Sequence, residues 1–80
     1  MFIVYRENNV GHFLTNPSTK TNIFFDIETL QTVVEDDARR DLYEDGDSIL
    51  YVLVDLKNKT FKTLRVDYIL TYATEFYIED

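Results

Sequence analysis

Six consecutive apolar residues, Ile49-Leu50-Tyr51-Val52-Leu53-Val54, constrain this chain more than any other feature. The run is too short and too rich in β-branched side chains for a helix interior, and it reads as a central strand. Successive side chains of a strand point to opposite faces, so Leu50, Val52 and Val54 share one face while Tyr51 and Leu53 share the other. Apolarity on both sides calls for cover on both faces, or for a self-association seam on one of them.

The flanking sequence supplies neighbours for this strand. Lys57-Asn58-Lys59 reads as a reversal, and Phe61 to Tyr68 returns with Leu64, Val66 and Tyr68 on one face and Thr63, Arg65 and Asp67 on the other. At the start of the chain, Phe2 to Tyr5 is a β-branched and aromatic run, Glu7 to Gly11 offers turn residues, and His12-Phe13-Leu14 resumes an extended pattern. A hairpin is expected there, with Asn9 or Gly11 taking the positive φ of a tight reversal. Thr15 to Asn22 reads as a connection within the domain, and Ile23-Phe24-Phe25 as a short strand. Asp26 is placed to cap a helix whose apolar stripe is Ile27, Leu30, Val34, Ala38 and Leu42, ending by Tyr43 with Gly46 beyond. Residues 69 to 78 fit a helical stripe through Ile69, Tyr72, Ala73 and Phe76, but their Thr and aromatic content favours a strand or a docked extended tail. The sum is an α+β domain over residues 1–80: a small antiparallel sheet of about four to five strands with one helix packed on one face.

Length and composition bound what such a domain can do. Eighty residues with a formal charge of −7 allow one small core and no second domain. With no cysteine, the chain has no disulfide, no thiolate nucleophile and no Cys-based zinc site, which suits a reducing cytoplasm. No apolar run reaches the roughly 18 residues of a membrane span, and the first residues lack the basic-then-apolar order of a signal peptide. A soluble cytoplasmic protein with no membrane partner is expected.

Charge is concentrated in Glu35 to Asp47, where seven acids, Glu35, Asp36, Asp37, Asp41, Glu44, Asp45 and Asp47, accompany Arg39 and Arg40. On a helical reading Glu35 and Asp36 lie on the outer face, Asp37 and Asp41 flank the apolar stripe, and the remaining acids follow in the loop. In sign and coarse spacing these carboxylates resemble a row of phosphates. The bland reading is a solvated helix face with local Arg pairing. An EF-hand loop opening at Asp41 fails, because Tyr43 and Val52 stand where its third and twelfth positions need oxygen ligands. Asp55-Leu56-Lys57, with Asp45 or Asp47, could in principle serve a divalent-metal nuclease. The polar end of a strand entering a turn explains the triplet more simply, and a charge of −7 repels nucleic acid. Ser18, Ser48 and the lone histidine, His12, form no catalytic constellation, and Asn58-Lys59-Thr60 reads as turn chemistry rather than a glycosylation acceptor.

Six tyrosines and six phenylalanines are more rings than so small a core accommodates, so Tyr43, Tyr72 and Tyr77 are expected among exposed anchors. Small size, acidity and the absence of cysteine are similar in composition to small virus-encoded inhibitor proteins. The expectation is therefore a non-enzymatic binding protein without metal or cofactor. Glu35, Asp36, Asp37, Asp41, Tyr43, Glu44, Asp45 and Asp47 would dock on a basic surface of a partner, such as a nucleic-acid-binding protein whose ligand they mimic. The competing expectation is a homodimer through the Ile49–Leu56 strand or the aromatic tail.

Overall fold

The computed structural model describes residues 1–41, 47–69 and 73–79. Its elements run β1 (Phe2–Arg6), α1 (Ile27–Arg39), β2 (Ser48–Asp55), β3 (Thr60–Ile69) and β4 (Ala73–Glu79). The strands form one antiparallel sheet in the order β1-β2-β3-β4, and α1 packs on one face of it, so the α+β class holds. No helix among the described residues is long and apolar enough to cross a membrane.

Helix α1 begins where the sequence offers a cap. The Asp26 carboxylate accepts the Thr29 backbone N–H at 2.7 Å and the Thr29 hydroxyl at 3.2 Å, satisfying an N–H that the first turn leaves without a helical partner. Leu30, Val34 and Ala38 are fully buried and dock the helix on the sheet. Their three- and four-residue spacing keeps them on one stripe, and each larger side chain contributes about 1.5–3 kcal/mol by leaving water. The helix ends at Arg39, earlier than the sequence pattern suggested, and Asp41 donates its backbone N–H to the Ala38 carbonyl in a tighter final turn. Leu42, Tyr43 and Gly46 lie outside the described residues.

The inward face of the sheet is set by alternation. Val4 of β1 is paired with Leu53 of β2, Tyr51 of β2 with Leu64 of β3, and all four are buried together with Val66 and Phe24. The β2–β3 hairpin turns at Leu56 to Lys59, with Lys59 at φ 55°. Asp55 organises that turn by accepting the backbone N–H groups of Lys57 and Asn58, at 3.0 and 3.1 Å, and the Asn58 side-chain amide at 2.8 Å.

The amino-terminal hairpin differs from expectation. Gly11 does take the positive φ, at 90°, but His12–Leu14 does not become a strand. Phe13 makes a single bridge with Tyr5, and Ile23–Phe25 contributes only the bridge of Phe24 to Phe2. The physical reason lies between them. Asn16, 4 % exposed, locks the intervening loop by donating to the Ile23 carbonyl and accepting from the Ser18 backbone N–H, so the chain crosses the margin of β1 as an irregular strap. A fifth strand is thus not formed among the described residues. The tail, ambiguous between helix and strand, is extended over Ala73–Glu79 as β4.

Candidate functional site

The acids that charge patterning singles out have unlike fates. Asp37 sits on the sheet-facing side of α1, three residues beyond Val34, and its side chain is only 18 % exposed. Its Oδ2 atom accepts Nε of Arg6 at 2.7 Å and the Tyr51 hydroxyl at 2.6 Å, while Nη2 of Arg6 donates to the Asp37 backbone carbonyl at 2.9 Å. Nη1 of Arg6 reaches the Asp41 carboxylate. One guanidinium thus ties the end of β1 to the last turns of α1, and Tyr51 joins β2 to the same carboxylate. This is a structural clamp between helix and sheet.

Glu35 and Asp36 engage Arg39, at 3.6 and 3.1 Å, one helical turn away. Surface pairs of this spacing contribute only a few tenths of a kcal/mol. Asp41 and Asp47 line an open cleft of about 650 Å³ with Arg6, Glu7, Asn8 and Ser48. Tyr43, Glu44 and Asp45 lie outside the described residues, as does Tyr72. Glu35, Asp36, Asp37 and Asp41 are therefore engaged by cations of the same chain, and of these Asp36 and Asp41 keep more than half of the side chain in solvent. Asp55, the acid of the nuclease reading, has its carboxylate occupied by the hairpin turn, and these hydrogen bonds, led by the Asn58 backbone N–H, hold its pKa below the usual value. Among the described residues no three His, Asp or Glu side chains converge as a metal site.

Two residues of the clamp escaped charge patterning. Arg6 shares the strand parity of Phe2 and Val4, so it is directed at the helix, where a cation needs a carboxylate. That parity was the available signal. Burial of Arg6 disfavours its charge, yet hydrogen bonds to Asp37 and Asp41 outweigh this and raise its pKa.

The Tyr51 phenol is likewise pushed up, first by burial and then by its bond to Asp37. The folded-state value lies above the unfolded one of about 10, so this stabilisation is complete below pH ~10 and is lost as pH climbs from there through the folded-state value. We expect alkaline unfolding in which the last of the six tyrosines ionises together with the loss of circular dichroism. Full tyrosinate absorbance before any unfolding would contradict the burial of this phenol.

The opposite face of the sheet has another character. By alternation, Ile3 and Tyr5 of β1, Leu50, Val52 and Val54 of β2 and Phe61 of β3 point away from α1. Register places them side by side, Ile3 across from Val54, Tyr5 across from Val52, and Val54 across from Phe61. Phe61 is 76 % exposed and Leu50 39 %. Phe13 packs edge-on against Tyr5 at the margin, with ring centroids 5.6 Å apart. Beside this patch, Arg65 and Asp67 pair with each other at 3.1 Å. No family model, curated protein or solved structure matches the chain.

Proposed function

We propose that the protein is a non-enzymatic interaction domain whose contact surface is the sheet face turned away from α1. The observation that supports this is the contiguous apolar patch of Ile3, Tyr5, Leu50, Val52, Val54 and Phe61, on a face that no described element covers. An apolar patch rimmed by polar residues on so small a domain marks an association surface, because solvating it brings no compensating gain. The two-sided apolar strand is thereby accounted for: Tyr51 and Leu53 serve the core, and Leu50, Val52 and Val54 serve the contact.

A second reading rests on charge. The helix side carries Asp26, Glu28, Asp36 and Asp41 as exposed acids against Arg39 and Arg40, and this excess favours docking on a basic surface, such as that of a nucleic-acid-binding protein. Within that reading Asp37 belongs to the clamp and not to the contact.

Affinity capture from host lysate at low and high ionic strength separates the readings. Contact through the sheet face predicts partners, the same chain included, that persist in high salt, are lost with Phe61→Lys and are kept with Asp36→Lys combined with Asp41→Asn. The reverse pattern, loss in salt and with the acid variants alone, would transfer the function to the helix side.

A further inference from the structure

We infer that two copies of the chain join edge to edge through β4, as antiparallel strands about a twofold axis perpendicular to the sheet. The contact uses the margin of the sheet, so it is independent of the apolar face and leaves that face to its own partner.

The two margins of the sheet differ in backbone chemistry. β1 is bridged by Phe13 and Phe24, whereas among the described residues no strand or bridge lies beyond β4. In an antiparallel ladder alternate residues direct N–H and C=O to opposite sides, so about half of the seven residues of β4 present these groups away from β3. Sheet margins are ordinarily protected by proline, lysine, a bulge or a covering segment. β4, Ala73-Thr74-Glu75-Phe76-Tyr77-Ile78-Glu79, holds no proline or lysine, and its register with β3 runs unbroken from the Thr63–Glu79 pair to the Ile69–Ala73 pair. Its charged residues are Glu75 and Glu79, and their positions decide what can pair with it.

The order of residues along β4 selects a second copy as the occupant. About a perpendicular twofold, residues directly opposite share a parity, so the two strands can slide only by whole side-chain repeats. With all seven residues paired, Phe76 meets its own counterpart, Thr74 meets Ile78, Glu75 meets Tyr77 and Glu79 meets Ala73. No glutamate stands opposite a glutamate. A slide of one repeat in one direction sets Glu75 against itself, and in the other it sets Glu75 against Glu79. Like charges directly opposite are destabilising, so the longest register is free of the clash that both neighbouring registers carry. Thr74, Phe76 and Ile78 share the parity of Tyr68, Val66 and Leu64, and pairing continues that row from one sheet into the next. Charge still opposes the approach. Each copy carries −7, Glu75 stands across from Asp67 of its own chain, and the two Glu75 positions become diagonal neighbours at roughly 7–8 Å. Association therefore tightens as salt rises, opposite in sign to docking on a basic surface.

The test is sedimentation equilibrium of the full chain over a range of concentrations, in low and high salt, with two substitutions at one position. Tyr77→Glu sets a glutamate opposite Glu75 twice in each dimer, and Tyr77→Lys sets a lysine there. The expected result is a dimer favoured by salt, whose dissociation constant in low salt rises about tenfold in Tyr77→Glu and falls about threefold in Tyr77→Lys. Within its own chain position 77 stands across from Arg65, so glutamate there favours the fold and lysine does not, the reverse of their effects on pairing. Loss of the dimer in Tyr77→Glu is thus not loss of the fold, and circular dichroism verifies both variants. A chain that is monomeric at every concentration would overturn the inference, as would a dimer that responds alike to the two variants. A dimer indifferent to Tyr77 and lost with Phe61→Lys would overturn it by moving the second copy to the apolar face.

Discussion

Replacing Asp37 by alanine should destabilise the fold by about 2–4 kcal/mol, the range for stranding a partly buried charge and a hydroxyl at once. Total stability for a chain of this size is of order 4–12 kcal/mol, so much of it would be lost. The reason is geometric. A single carboxylate receives both Arg6 and Tyr51, and its removal leaves the guanidinium only the Asp37 backbone carbonyl and the exposed Asp41. Urea unfolding monitored by circular dichroism measures the effect. The combined variant Arg6→Met, Asp37→Leu, Tyr51→Phe should recover most of the loss, since mutually packed apolar groups need no charge partner. Should Asp37→Ala alone unfold at the wild-type midpoint, the clamp would contribute nothing and Asp37 would return to the pool of surface acids.

Leu30→Ala should cost about 2–5 kcal/mol through lost transfer energy and the cavity left between helix and sheet. Leu30 is fully buried in the first half of α1, against a core that includes Val4, Phe24 and Leu53. A 13-residue helix is marginal alone in water, so the helical signal should disappear in the same transition as the sheet signal. Separate transitions for the two signals would show that helix and sheet are not one cooperative unit.

Elements whose signal is local were legible in the sequence. The stripe Leu30, Val34 and Ala38, the Asp26 cap and the β2–β3 hairpin all rest on spacings within a few residues, and each forms. The amino-terminal hairpin was legible only to its turn, because the strap around Asn16 depends on side-chain-to-backbone hydrogen bonds that hydropathy does not register. The acidic segment was the least legible. Its reading as a free charged surface failed for Asp37 because the balancing cation lies 31 positions away, in the first strand, where charge patterning along α1 does not look.

The strap also determines how the sheet can grow. Phe2 exchanges backbone hydrogen bonds with Phe24, each at 2.8 Å, and Leu14 donates to the Val4 carbonyl at 2.9 Å, so the β1 margin is already spoken for. Among the described residues, the margin left for an incoming strand is that of β4, the other end of the strand order. Two molecules joined in that manner would present a blocked margin at each extremity. Edgewise addition therefore terminates at a pair, and the architecture is protected against running on into a fibril.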